Sequence, residues 1–464
     1  MSSQNQGLTA TALPDPRRWR TLAMLGTAQL MLILDITVVS IALPEIGSDL
    51  ALDRGALTWV VSAYTLTFGG LMLLGGRLAD RVGSRRLVLA GLAIFTVASL
   101  VTGFAGSAPL LLAGRVAQGI GAAMLSPAAL SAVVTSFEGE ERNRALGIWS
   151  ALSGGGAALG VLLGGLLTGG PGWPWIFFIN VPIGIVLLIV LVKLLPERSV
   201  PADRPRLDIL GAALVTGATG AVIYALVGAG DAGWLSAATI VPLLIGLVLY
   251  TAFVLWQRAT ATPLMDLSLL ARRPVAAGTF LIVVATALMI AVFFLGSFSL
   301  QRMHGLDPIL TGLLFIPIAV ATMAGAQLAG RIIGRTGPRP LALVALVIAA
   351  LGLALPAIWH DLALSIVGMS VGAMGIGAAF VVASATALGQ VAPHEAGIAS
   401  GIVSTFHEFG AALGAAVISS IAAASITGAA HSGIGDGFTF AAITAVVAAV
   451  LALMVIPRRV VAAG

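Results

Sequence analysis

Fourteen apolar runs joined by short polar turns make up nearly all of this 464-residue chain. Each is long enough, or nearly so, to cross a bilayer as a helix, which takes roughly 17–25 residues. Inside lipid every backbone N–H and C=O must find a partner within the protein, so such runs leave few folds open. The first six are Leu22–Leu43, Ala56–Gly75, Leu87–Ala105, Pro109–Val134, Ala145–Leu167 and Trp175–Leu195. Ile209–Val227 and Leu235–Leu255 follow. The last six are Val275–Phe298, Ile309–Leu328, Leu341–Ile358, Leu362–Leu388, Ile398–Ala424 and Phe438–Ile456. Only 9% of the residues are charged, against about 25% in a soluble domain. No water-soluble surface can be assembled from that supply, and the chain reads as an all-α integral membrane protein. The polar stretch before Leu22 has no apolar signal core with a small-residue cleavage site, so the first run is expected to be retained.

The net charge of +5 is explained by where the arginines sit. With the N-terminus and its Arg17, Arg18 and Arg20 in the cytoplasm, alternate turns collect every Lys and Arg except Arg54, Arg115 and Arg302. Arg54 and Arg302 fall in outer turns, and Arg115 lies inside the fourth run. This is the positive-inside bias, and it places both termini on the cytoplasmic side. Nucleic acid is not an expected partner. The absence of cysteine excludes disulfides, cysteine-ligated metals and thiol catalysis.

The densest charge lies between the second and third runs, in Gly76-Arg77-Leu78-Ala79-Asp80-Arg81-Val82-Gly83-Ser84-Arg85-Arg86, read as a loop. Gly76, Arg77, Arg81, Gly83 and Arg85 recur at one spacing as Gly330, Arg331, Arg335, Gly337 and Arg339. Gly119-Ile120-Gly121-Ala122-Ala123 likewise returns as Gly375-Ile376-Gly377-Ala378-Ala379. Gly156-Ala157-Ala158-Leu159-Gly160 returns as Gly410-Ala411-Ala412-Leu413-Gly414. Runs one to six therefore correspond to nine to fourteen, with seven and eight inserted between two related halves. The expected organisation is a cytoplasmic tail (1–21), a six-helix bundle (22–195), a linker with the inserted pair (196–257), a second bundle (258–457) and a short cytoplasmic tail (458–464). Gly156, Gly160, Gly164, Gly165, Gly410 and Gly414 form an expected helix-packing seam, since small residues let helix backbones approach in lipid. Static packing and a moving seam both fit that stripe.

Charges buried in lipid are expensive and therefore candidates for function. Asp35 lies about 20 Å along the first run, and Arg115 about 9 Å from the outer end of the fourth, at similar depth. They are expected to pair or to share one cavity, with Gln118 nearby. His407 and Glu408 lie about 15 Å into the thirteenth run from the cytoplasmic side. Being adjacent, they point about 100° apart, which makes His407 a poor direct partner for Glu408. A static ion pair is the plain alternative for Asp35 and Arg115, and a hydrogen-bonded core group for His407 and Glu408. No phosphate-binding Gly-x-x-x-x-Gly-Lys-Ser/Thr loop is present, so ATP is not the expected energy source. Gly368-Met369-Ser370-Val371-Gly372 matches a nucleophile-elbow pattern but sits in an apolar helix with no strand before it. Neither a metal site nor a cofactor is expected.

Several of these stretches resemble the major facilitator superfamily, and in particular its fourteen-helix drug:proton antiporter branch. Gly76 to Arg86 is similar to the signature loop between helices two and three. Leu34-Asp35-Ile36-Thr37-Val38-Val39-Ser40-Ile41-Ala42-Leu43-Pro44 resembles the first-helix motif of that branch, and Arg115-Val116-Ala117-Gln118-Gly119 the fourth-helix motif. Trp175-Ile176-Phe177-Phe178-Ile179-Asn180-Val181-Pro182-Ile183-Gly184 also looks characteristic of it. In the fifth-helix exporter motif, Val161 stands where proline is expected. The resemblance implies a major facilitator fold of fourteen helices in a 6 + 2 + 6 arrangement. It also implies proton-coupled export of amphipathic, cationic drugs or antibiotics across a bacterial plasma membrane. Asp35, Arg115 and Glu408 would couple protons, with Asp35, Gln118, His407 and Glu408 in the substrate cavity. Gly76, Asp80, Arg81, Gly83, Arg85, Arg86, Arg331 and Arg335 would form an inner latch. Protons, small cationic substrates and membrane lipid are the expected partners of a monomer. A transporter of one metabolite or self-made natural product is the alternative. An enzyme lacks a reactive constellation, and a channel lacks a continuous polar pore.

Overall fold

The chain's structure, a computed structural model, describes residues 17–137, 139–196, 207–359, 361–389, 391, 396–423 and 432–456, without some side chains between 139 and 158 and at 396–398 and 432. The arginines at 198, 204, 206, 458 and 459 counted in the charge pattern lie outside the described residues. The described residues are mainly helical, and no strand occurs among them. The helices are α1 (Arg18–Asp49), α2 (Arg54–Val82), α3 (Ser84–Gly103), α4 (Ala108–Val134), α5 (Gly139–Gly169), α6 (Trp175–Phe178) and α7 (Asn180–Leu194). An inserted hairpin follows, α8 (Ile209–Ala232) and α9 (Ala237–Ala259), then a short α10 (Leu267–Ala271). The chain continues through α11 (Arg273–Phe298), which ends in a π-helical turn at Ser299–Met303, α12 (Pro308–Thr336) and α13 (Pro338–Ile358). It closes with α14 (Leu362–Leu388), α15 (Ala396–Ile421) and α16 (Ser432–Val455).

Thirteen spans among the described residues are apolar and long enough to cross a membrane, with α6 and α7 together making one. The fifth expected run lies on α5, whose described apolar part is Leu159–Gly169. Most helices are apolar all round, as buried or lipid-facing helices must be. Their hydroxyls bond back to the preceding turn: Ser40 Oγ donates to Ile36 O at 2.9 Å and Thr102 Oγ1 to Ala98 O at 2.7 Å. This leaves no free donor in the bilayer at those positions.

Helix ends carry the repeat as clearly as the apolar runs do. The Asp53 carboxylate accepts from Ala56 N at 2.7 Å to start α2, and Asp307 accepts from Leu310 N at 2.8 Å to start α12. Both are N-caps that occupy an otherwise orphaned amide. The charged stretch read as a loop is in fact helix. α2 runs on to Val82, and the whole turn is Gly83 at φ +94° before α3 begins at Ser84. Gly337, at φ +78°, makes the matching turn between α12 and α13. A positive φ at the helix end suits glycine, so one residue suffices to reverse the chain.

The packing pairs recur as well. α1 packs on α5 as α11 does on α15, α2 on α4 as α12 on α14, and α3 on α7 as α13 on α16. Across the middle, α2 meets α15, α5 meets α12, and α1 touches α11. α8 lies against both α2 and α15, with α9 behind it. We call the end with Arg17 and the charged turns the near end, and the opposite one the far end.

Candidate functional site

Deep between the first four helices, Asp35 of α1 meets Arg115 of α4 in a direct ion pair. Arg115 is 0% exposed and is the largest fully buried side chain described. Its Nε donates to Val60 O at 2.9 Å and its Nη1 also reaches Gln118 Oε1 at 3.0 Å. The guanidinium carbon lies 4.4 Å from the centre of the Tyr64 ring. Gln118 closes the group by donating to Asp35 Oδ1 at 3.0 Å and to Ser99 Oγ at 2.9 Å. Helical spacing explains the arrangement: Arg115 and Gln118 are three residues apart and share a face of α4. Each charge has a partner, which is the condition for keeping it out of water. Arg115 is a permanent cation, so the group sets a fixed positive charge against the one carboxylate it holds.

Glu408 lies elsewhere, on α15, at 5% exposure and beside Gly69 of α2. Its Oε2 has no hydrogen-bond partner among the described residues. His407 Nδ1 stands 3.3 Å from Glu408 Oε1, contrary to the expectation that adjacent residues on a helix would point apart. The backbone directions do diverge, but both side chains have enough rotatable bonds to swing towards one another. The His407 ring also packs on Phe380, centres 5.8 Å apart.

The glycine stripe divides by partner. A Cβ on Gly156 would press on Leu30, on Gly160 on Thr37 Oγ1, and on Gly164 on Val38, all residues of α1. Gly410 and Gly414 stand in the same way against Val283 and Ala287 of α11. Gly165 differs, since its Cβ would lie 2.6 Å from Pro308 O and 2.9 Å from Gly312 Cα on α12.

At the near end, Arg77 Nη2 donates to Pro263 O at 3.1 Å and Arg85 Nη2 to Val192 O at 2.9 Å. Gly76, Arg81 and Gly83 are partly covered and Arg86 is exposed. Asp80 is exposed and makes no ion pair among the described residues. Arg331 and Arg335 are exposed, and a Cβ on Gly330 or Gly334 would meet nothing within 4 Å. The far end is closed. Ser297 Oγ and Gln301 Nε2 of α11 and its π turn donate to Ile41 O of α1 at 3.3 and 2.8 Å. Ser62 Oγ donates to Ala412 O at 3.3 Å, and Thr58 bonds Ser419.

Sequence reasoning missed one group. Arg54, assigned to an outer turn, is the first residue of α2 and is buried. Its Nη2 donates to Asp231 Oδ2 and to Val227 O, both at 2.6 Å, and its Nη1 to Ser419 Oγ at 3.3 Å. The signal was present: Arg54 is one of the two basic residues that the charge sorting leaves in outer turns. The other, Arg302, is exposed, with its guanidinium 5.8 Å from the Phe298 ring centre.

A family model described as Major Facilitator Superfamily matches residues 25–415 and 300–463. The chain belongs to the Major Facilitator Superfamily. Within the superfamily it is 39% identical to the puromycin resistance protein pur8 of Streptomyces alboniger, over 93% of this chain and 86% of that one. It is 36% identical to the cephamycin export protein CmcT of Amycolatopsis lactamdurans, over 93% and 91%. Among solved structures, a bacterial homologue of the human lysosomal transporter Spinster matches with a TM-score of 0.69 over 95% of this chain and 97% of that one. At 17% identity that likeness speaks for the fold alone. The superfamily member described here is a multi-pass transport protein of the bacterial plasma membrane, not an enzyme.

Proposed function

We propose that this transporter exports small amphipathic, cationic drugs or antibiotics in exchange for protons. The observation that carries the reading is the buried Asp35–Arg115–Gln118 group, a carboxylate held by a permanent cation out of water. The names of the puromycin resistance and cephamycin export relatives support efflux as its direction. In this reading fourteen helices cross the membrane and both termini are cytoplasmic. Residues 22–195 and 258–457 form the two bundles, 196–257 the linker and inserted pair, and 1–21 and 458–464 the tails. The far end is then the outer one, and in the described conformation it is the end where hydrogen bonds join the two halves. A proton or a cationic substrate competes for Asp35 once its bond to Arg115 loosens. Competition for one carboxylate gives exchange with no further device. Asp80 with Arg77, Arg81, Arg85 and Arg86 latches the near end when it closes against Arg331 and Arg335.

Proteoliposomes carrying the purified chain test this directly. Adding a transported cation should release protons in the wild type, and Asp35→Asn should abolish pH-driven transport. Undiminished uphill efflux in that variant returns Asp35 to packing alone. Two relatives are each named for a single antibiotic, which favours a second reading: export of one natural product. A substrate panel with a single active member would select it.

A further inference from the structure

The inserted hairpin α8–α9 lies over the junction of α2 and α15, so a relative movement of the two halves must carry it with one of them. Its bonds to the two sides differ in kind. Towards α2 it is tied at both ends by an arginine. At the far end Arg54 holds Asp231 through two donors, Nε at 3.3 Å and Nη2 at 2.6 Å, and also takes Val227 O. At the near end Arg77 holds Pro263 O in the segment just after α9. That segment is clamped to the base of the hairpin by Asp208, which accepts from Trp256 Nε1 at 2.7 Å, Gln257 Nε2 at 2.5 Å, Gly211 N at 2.8 Å and Leu264 N at 3.3 Å. Burial pushes the Asp208 carboxyl up, but these four donors together hold it below the ordinary carboxylate range.

Towards α15 the hairpin offers only packing. Gly230 sits against the Ser420 backbone, and no side-chain hydrogen bond joins α8 or α9 to α15 among the described residues. Apolar surface slides in lipid at little cost, since the acyl chains are as apolar as the side chains they replace. Asp231 is exposed but Arg54 is not, and pulling the buried arginine from both its carboxylate and Val227 O strands its charge at a far greater cost. What α15 gives to Arg54 is a neutral hydroxyl, Ser419 Oγ, which water can replace in an open vestibule.

We propose that α8–α9 travels with the α2 half during transport, with Arg54 as its anchor, and that the α8–α15 contact is the seam that parts. This rests on the reading that the two halves alternate in access. The chain has no cysteine, so paired spin labels can be placed without a background. Leu235, 89% exposed between α8 and α9, reports on the hairpin; exposed Phe104 ending α3 and Ile358 ending α13 report on the two halves. Distances are measured by electron–electron double resonance on the full chain in nanodiscs, in acid and in alkali. We expect the Phe104–Ile358 and Leu235–Ile358 distances to shift together while Leu235–Phe104 stays constant. A constant Leu235–Ile358 distance, or a shift in both Leu235 distances, overturns the proposal. If Phe104–Ile358 itself never shifts, alternation of the halves fails and the proposal fails with it, a distinguishable result. In Arg54→Leu the Leu235–Phe104 distance should lose its constancy; its persistence in the folded variant removes Arg54 as the anchor.

Discussion

The two halves share a scaffold and differ in what they bury. At the spacing that relates Arg77 to Arg331, Asp35 of the first half falls on Met289. At the spacing that relates Gly119 to Gly375, Arg115 and Gln118 fall on Val371 and Met374. The same helix pairs pack in both, yet among the described residues only the first buries an arginine against a carboxylate in its core. The second half has its own departure, Glu408, where the first has Gly154. The features that repeat, such as the Asp caps, one-residue glycine turns and glycine-lined contacts, build the fold. Those that do not repeat are charges, whose burial opposes folding unless something else is gained. Function is therefore sought where the halves disagree.

The contrast is broken most severely at Arg115. Arg115→Met alone strands Asp35 without its cation and should cost about 3–5 kcal/mol of stability, read from unfolding in detergent. Asp35→Leu with Arg115→Met makes the first half apolar like the second and should recover most of that loss, because an ion pair exchanged for apolar groups of similar volume is often neutral. Transport should be lost in both. A double variant that still pumps means the ion pair serves packing only.

Glu408 sharpens the same contrast from the other side. Glu408→Gln should weaken export of dicationic compounds by about tenfold, a difference of about 1.4 kcal/mol, and of monocationic ones less. Equal loss for both classes would instead indicate general coupling or support of the fold.

At the shared scaffold the halves should respond alike, with one difference. Gly160→Ala and Gly414→Ala each overpack a helix contact and should cost about 1–3 kcal/mol. Thr37→Ala should rescue the first, since the obstructing atom is a side-chain oxygen. Nothing comparable should rescue the second, because Ala287 Cα is backbone. Unfolding temperatures of the single and double variants decide it.

The smallest effect is expected at the near-end turns. Asp80 makes no ion pair among the described residues in this conformation, so Asp80→Asn should leave stability and substrate affinity nearly unchanged. Turnover should fall about five-fold or more if the latch closes in the other state, the lower range of a coupling energy. Turnover at the wild-type rate excludes the latch.

By itself the sequence determined the membrane environment, the helical class and the internal repeat, because apolar length and residue spacing are properties of the chain alone. It also placed Asp35 and Arg115 at one depth, since helical rise converts residue number into distance. Depth says nothing about rotation around a helix axis or about which helices are neighbours. Tertiary structure therefore decided that Gln118 bridges Asp35 to Ser99, that His407 turns towards Glu408, and that Gly165 alone of the expected seam faces α12. It decided too that Arg54 is a buried hub, with partners on α8 and α15 that lie 177 and 365 residues away. A charge in a short turn looks solvated until the helices around it are packed, and only packing takes its water away.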